Sequence, residues 1–197
     1  MPKVTDDYRR ARRLEISQAA LRCFARKGFQ ATSMADIIAE SGLSAGAIYG
    51  NFKNKDELIA RAVREVLEDQ LSIMDQLHDD GRVPPPREIM TRFISGVTRG
   101  LGDLGLIVQI WAESTTDPGL RVAAESAAVG LRSMFEDYAL AWLTRPEAEG
   151  VPEPEVRARQ YGSVMLGLCQ GFIVQSTLVG DFDADTYLAG LDALQLP

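Results

Sequence analysis

The chain has 197 residues, 46% of them hydrophobic and 25% charged, the make-up of a globular protein that can hold one domain or a small module beside a larger one. Its two cysteines, Cys23 and Cys169, do not suggest a disulfide framework and fit a reducing compartment better. A net charge of −7 argues against nucleic-acid binding until it is divided: residues 1–65 carry twelve Lys or Arg against eight Asp or Glu, a net of +4, and the remainder carries −11. A nucleic-acid reader joined to an acidic partner region shows this asymmetry, although chance variation between solvated faces also produces it.

The periodicity is helical throughout, with no sustained strand-like alternation. Leu14, Leu21 and Phe24, with neighbouring alanines, form a first stripe closed by Gly28. Met34, Ile37 and Ile38 form a short second one, with Ser33 at the N-cap, Asp36 three residues later and Gly42 as the stop. Ser44 caps another short helix running through Ile48 to about Phe52. Asn54 caps a longer one to about Asp79, with Glu57 at the capping-box position and Ile59, Ala62, Val66, Met74 and Leu77 on its inner face. Gly81 and Pro84-Pro85-Pro86 interrupt, and a helix restarts with Ile89, Phe93, Val97 and Leu101. Two more run from Leu106 to Glu113 and from Leu120 to about Leu143. After the loop marked by Pro146, Gly150, Pro152 and Pro154 come helices over Val156–Leu178 and around Tyr187–Leu194. About nine helices make the class all-α, with an N-terminal three-helix module at 1–56 and a helical domain at 57–197.

Gln160 to Gly180 holds no charged residue and is long enough to span a bilayer. Gln160, Ser163, Gln170, Gln175, Ser176 and Thr177 are scattered through it, so a helix buried on two sides of a soluble dimer is expected and a membrane partner is not. The charged start, Asp6 to Arg13, has no apolar run behind it and does not resemble a secretory signal; a cytoplasmic location is expected.

Ser33 to Phe52 has the proportions of a helix-turn-helix. A first helix of about two turns ends at Gly42, the turn is Gly42-Leu43-Ser44, and the second helix starts at Ala45. Glycine tolerates the positive φ of such a turn, Leu43 can plug the angle against Ile37, Ile38 and Ile48, and Ser44 can cap the second helix. The N-terminal residues of that helix would face base edges in a major groove.

From about Leu14 to Leu58 the sequence resembles the tetracycline-repressor (TetR) family, through Ala19-Ala20, Phe24, Gly28-Phe29, Thr32-Ser33, Ile37, Gly42-Leu43-Ser44, Ile48-Tyr49, Phe52 and Lys55-Asp56-Glu57-Leu58. The resemblance implies a dimeric transcriptional regulator whose C-terminal helices hold a small-molecule pocket. Its partners would be double-stranded DNA with a near-palindromic operator, a small hydrophobic or amphipathic effector that releases the repressor, and a second copy of the chain. Carried over by position, Thr32 and Ser33 meet the DNA backbone, Tyr49 and Lys55 grip phosphates, and Ser44, Ala45 and Gly46 approach the bases. Arg9, Arg10, Arg12 and Arg13 could add contacts from an N-terminal arm. The segment Ala45 to Asn51 departs from expectation, because it has no Arg, Lys or Gln for a bidentate base contact. Asn51, its only amide, lies late, where phosphate contact is expected, so base reading would rest on Ala45 and Ala47 against thymine methyls, close approach at Gly46, and DNA shape.

An enzyme would need a different constellation. Gly100-Leu101-Gly102-Asp103-Leu104-Gly105 fits a dinucleotide-binding pattern but follows a helical stripe where that motif needs a strand, so a helix–helix turn is expected. His78, the one histidine, sits in a polar helix end; Cys23 reads as core, and Cys169 as packing or a sensor thiol. No metal-ligand cluster or nucleophile–base spacing stands out, and no cofactor is expected. The alternative class is a small all-α enzyme or binding protein with a vestigial helix-turn-helix.

Phe93, Ile107, Ile110, Trp111, Met134, Phe135, Tyr138, Met165, Cys169 and Phe172 are candidates to line a pocket, or are simply core. Gln109, Glu113, Tyr138, Tyr161 and Gln170 are the polar groups that could orient a ligand. The dimer contact is placed on the last two helices, at Tyr161, Val164, Leu168, Gly171, Tyr187 and Leu191, with Gly162, Gly167 and Gly171 permitting close approach. The helix from Asn54 to about Asp79 would couple ligand to DNA.

Overall fold

Helix-period stripes separated by glycine and proline fold as a succession of helices in the computed structural model, which describes residues 6–65, 83–148 and 150–194. Among the described residues there are nine α-helices and no strand. They are α1 (Asp6–Lys27), α2 (Met34–Ser41), α3 (Ala45–Tyr49), α4 (described over 55–65), α5 (Pro86–Leu101), α6 (Gly105–Ser114), α7 (Pro118–Leu143), α8 (Pro154–Leu178) and α9 (Ala184–Gly190). The expected Val66, Met74, Leu77 and His78, and the far end of the coupling helix at Asp79, lie outside the described residues.

The described residues fall into two compact units: those up to Glu65 together with Leu101–Ala124, and those from 83 to Gly100 together with Glu125 onward. In the first unit α1 buries Ile16, Ala19, Ala20, Cys23 and Phe24, the spacing of one helical face. Leu14, expected in that stripe, is instead 46% exposed, because the buried face runs through Ile16. Phe29, Ile37, Ile48, Phe52, Leu58 and Ile59 complete the core with Leu106 and Ile110 of α6 and Leu120 of α7. Each such large side chain contributes roughly 1.5–3 kcal/mol by leaving water, so α6 and the start of α7 are part of what holds the N-terminal helices together.

The second unit packs Phe93 edge-on to Phe135 at 5.4 Å between ring centroids, and seats the Cys169 thiol 3.7 Å from the Met90 sulfur. Tyr138, also buried, donates its hydroxyl to the Pro84 carbonyl at 2.8 Å. α7 and α8 approach closely at Gly162, where an added Cβ would lie 2.4 Å from Glu136 Cγ and 2.9 Å from the Glu136 backbone nitrogen. Asp183 caps α9, whose Tyr187 meets Phe172 and Phe182 in an aromatic trio.

The glycine pattern at 100–105 is a helix–helix turn, as expected. α5 ends at Leu101, Gly102 takes φ +77°, the Asp103 carboxylate accepts from the Gly105 N–H, and α6 begins there. Among the described residues no helix, α8 included, is long and apolar enough to cross a membrane.

Candidate nucleic-acid interface

α1 ends at Gly28, whose φ of +80° turns the chain into the loop before α2. Thr32 sits in that loop with its side chain buried, its hydroxyl placed to donate to the carbonyls of Gly28 at 2.8 Å and Cys23 at 3.3 Å. The hydroxyl expected at the DNA backbone is therefore turned into the fold. Ser33 is exposed and starts α2 with a capping box: its Oγ accepts from the Asp36 N–H at 3.2 Å, and the Asp36 carboxylate accepts from the Ser33 N–H at 2.9 Å. Lys27, 2.5 Å away, and these Ser33 donors hold the Asp36 carboxyl well below the usual carboxylate range. Arg22 and Arg26 both pair with Glu40 at 2.9 Å, lashing α1 to α2 along an exposed edge.

The turn between α2 and α3 is set by Gly42 at φ 67°, ψ 9°. Nothing lies within 4 Å of where its Cβ would be, so backbone conformation and not space requires glycine. Leu43 is half-buried against the core formed around Ile37 and Ile48, as the plug reading requires. Ser44 caps α3, accepting from the Ala47 N–H at 3.2 Å. α3 is shorter than expected, five residues ending at Tyr49. It buries Ile48 and leaves Ala45, Gly46 and Tyr49 exposed, Tyr49 at 53%. A small flat surface beside one large aromatic can approach another macromolecule closely. Asn51, half-buried, donates its side-chain amide to the Ala47 carbonyl at 2.8 Å, which ties it to the helix it follows.

α4 begins with Asn54 accepting from the Glu57 N–H at 2.8 Å. Lys55 does not stand free beside that cap. Its ammonium donates to the carbonyls of Phe29 (3.1 Å), Gln30 (3.2 Å) and Thr32 (3.5 Å) and lies 4.6 Å from the Phe29 ring centroid. The expected phosphate grip therefore meets a cation already engaged by loop oxygens, because α4 starts directly beneath the loop that leads into α2. Arg9, Arg10, Arg12 and Arg13, expected in an N-terminal arm, lie on α1 instead: Arg12 pairs with Glu15 at 2.7 Å and donates to the Tyr8 hydroxyl, while Arg9, Arg10 and Arg13 are exposed.

The ten pocket candidates are divided between the two units. Phe93, Met134, Phe135, Tyr138, Met165, Cys169 and Phe172 are buried in the second; in the first, Ile110 is core, and Ile107 and Trp111 are half-buried. Burial alone pushes the Cys169 thiol up, and Cys23 is raised chiefly by burial and then by Glu40, so both favour the unreactive thiol form. Of the polar candidates, Tyr138 serves Pro84, and Gln109 accepts from the Phe29 N–H at 2.9 Å, eighty positions earlier. That contact has no signature in local spacing. Of the dimer candidates, Val164 is 51% exposed, and Tyr161, Leu168, Gly171 and Tyr187 are half-buried. Leu191 is buried within its own chain. Gly171 makes room for Tyr187, whose hydroxyl would lie 2.9 Å from an added Cβ and donates to the Leu168 carbonyl; Gly162 makes room for α7. Gly167 alone of the three is open.

The family model described as bacterial regulatory proteins, tetR family, matches residues 16–62. Over 103 residues the chain is 33% identical to the uncharacterised HTH-type transcriptional regulator YfiR of Bacillus subtilis, covering 52% of this chain and 49% of YfiR. It is 40% identical over 65 residues to the HTH-type transcriptional repressor Rv1474c of Mycobacterium tuberculosis, covering 33% of this chain and 35% of that one. The chain thus spans about half or less of the length of these curated relatives. Among solved structures, GusR of Salmonella enterica shares the fold at a TM-score of 0.60 and 24% identity, covering 98% of each chain.

Proposed function

We propose that the chain is a tetR-family regulator, as the match of residues 16–62 to that family's model supports, and that it acts as a cytoplasmic DNA-binding transcriptional repressor. It binds a near-palindromic operator as a homodimer and is released by a small hydrophobic or amphipathic effector. DNA reading is assigned to residues 1–56, and dimerisation and sensing to 57–197.

One observation carries the DNA reading: behind a left-handed Gly42, α3 exposes Ala45, Gly46 and Tyr49 while Ile48 locks it to the core. A major groove admits an α-helix, small leading residues let its backbone approach closely, and Ser33 and Ser44 mark the helix starts where backbone N–H groups can meet phosphates. Tyr49 and Asn51 flank the groove contact. Selecting duplexes from a random pool with the purified protein tests this. The expected outcome is an enriched near-palindrome whose binding weakens steeply with salt; no enrichment at low salt removes the reading.

Self-association through α8 is supported by exposed apolar side chains along it, Val164 at 51% and Leu178 at 68%, with the open Gly167 between them. Sedimentation as a monomer at micromolar concentration would refute it. The effector is assigned to the second unit, among Phe93, Met134, Phe135, Met165 and Phe172. These side chains are packed, so a ligand enters by displacing soft groups such as Met165 and Met134. A thermal-stability screen against hydrophobic and amphipathic compounds finds such a ligand as a rise in Tm, and a hit must also release DNA.

A further inference from the structure

The inner face of α1 changes character along its length. Arg9, Arg13, Ile16, Ala20 and Cys23 follow one another at steps of three or four residues, the repeat of one helical face. Arg10, Ser17 and Phe24 form the row beside them. From Ile16 onward both rows are buried; at Arg9, Arg10 and Arg13 they are exposed. The N-terminal turns of α1 therefore run past the core with arginines on the side that elsewhere meets it. From Tyr8 to Leu14 the chain has four arginines and no acidic residue; the fourth, Arg12, pairs with Glu15 and donates to the Tyr8 hydroxyl. α3 lies toward this end of α1. α2 runs back along α1, with Asp36 at Lys27 and Cys23, then Glu40 at Arg26 and Arg22. The chain continues through Gly42 into α3, whose Ile48 shares a core with Ile16.

We propose that Arg9, Arg10 and Arg13 form a second DNA contact, a basic patch on the N-terminal turns of α1 that holds backbone phosphates beside the groove entered by α3. This rests on the DNA-binding reading above and adds to it a surface that α3 does not supply. Charge selects the occupant. Arg9 and Arg13 stand at i and i+4, where like charges oppose the helix, and a row of anions relieves that repulsion. A guanidinium presents a planar fork that matches two phosphate oxygens. The groups are carried by a helix and not by an extended arm, so they meet the backbone from outside and do not enter the minor groove to read bases. The patch thus contributes affinity that is independent of sequence and dependent on salt.

The test uses the full-length chain and the duplex it selects, with binding measured across a salt series. The triple variant Arg9→Gln, Arg10→Gln, Arg13→Gln keeps side-chain length and removes the charge at three exposed positions, so its Tm should stay at the wild-type value. Its binding at low salt should fall at least tenfold, and the slope of log K against log salt should shrink by about 0.9 for each phosphate no longer neutralised. The sequence preference should not change, because phosphate contacts weaken all duplexes about equally. Replacing the same three by Lys should keep the slope and most of the affinity. Arg99→Gln, the same change of charge at an exposed position of α5, should leave the slope as it is. Ethylation of single phosphates places the contact: some that weaken the wild type when ethylated should no longer matter to the triple variant. A wild-type slope in the triple variant, or an equal fall in Arg99→Gln, would overturn the patch and leave the DNA-binding reading standing. An altered base preference at A/T-rich flanks would make these residues minor-groove readers and overturn the backbone assignment. A wild-type chain that selects no duplex removes the DNA-binding reading itself, and the patch with it.

Discussion

The helices α1–α4 and the helices α7–α9 both bury apolar side chains, and they differ in the contacts added to that burial. In α1–α4, polar side chains close on backbone groups nearby: Ser33 and Asp36 across the start of α2, Ser44 on Ala47, Asn54 on Glu57, with Arg22, Arg26 and Lys27 paired along the outside. In α7–α9, and where α5 packs on α7, the contacts are matters of volume: Phe93 of α5 against Phe135, Gly162 under Glu136, Gly171 under Tyr187. Locally closed polar bonds let α2 and α3 be short and still leave Ala45, Gly46 and Tyr49 uncovered. Packing by volume needs small and large residues that match across the helices, as Gly162 and Gly171 do with Glu136 and Tyr187.

If that contrast is correct, substitutions in the two regions should fail in different ways. The largest effect is expected for Ala45→Glu, which adds charge and bulk at an exposed position of α3: it should abolish binding to the selected duplex while leaving Tm within about a degree of wild type, as an exposed substitution does. Normal duplex binding by this variant would show that α3 does not face DNA. Phe135→Ala should do the reverse, lowering stability by about 3–5 kcal/mol because the ring is fully buried, as urea denaturation would report. A loss below about 1 kcal/mol would mean that the site collapses around the gap and that volume does not govern this region.

The two glycines sharpen the contrast further. Gly162→Ala must push α7 from α8, since its Cβ meets the Glu136 backbone, and overpacking of this kind costs about 1–3 kcal/mol. Gly42→Ala meets no neighbour but must hold φ near +67°, at about 1–2 kcal/mol. Gly42→Asn should recover part of that loss, because asparagine tolerates the left-handed region, whereas Gly162→Asn should be worse than Gly162→Ala. Equal behaviour of asparagine at both positions would contradict the distinction between conformation and space.

The smallest effect concerns Asp36. Lys27 and Ser33 hold its folded carboxyl below the ordinary value, so as pH falls the unfolded chain takes up the proton first. Its contribution to stability is full above the unfolded value of about 4 and is lost as pH falls through the lower folded one. The Tm difference between wild type and Asp36→Asn should therefore be largest near neutral pH and shrink below about pH 4. A difference that grows on acidification would refute the assigned environment. The salt-bridge geometry is exposed, so the effect is modest and should also fall with added salt.

The sequence by itself determined the helices, their caps and the turn, because each depends on residues within one or two turns of chain. Ser33 with Asp36, Gly42, and Ser44 specify α2, its stop and the start of α3 through short-range hydrogen bonds and one permitted φ value, and these read directly from spacing. Periodicity likewise announced a buried first helix, though it took Leu14 for a core position that Ile16 occupies, since adjoining apolar residues on a helix cannot be ranked without the surface they meet. Only the tertiary structure decided which groups these side chains meet. Thr32 turns inward, Lys55 serves loop carbonyls, Gln109 reaches Phe29, and Tyr138 reaches Pro84 fifty-four positions away. Each of these side chains could as well have met solvent, a ligand or a phosphate. Residue type states only what a group can bond; which partner lies within 3 Å is settled by the folding of segments that are remote along the chain.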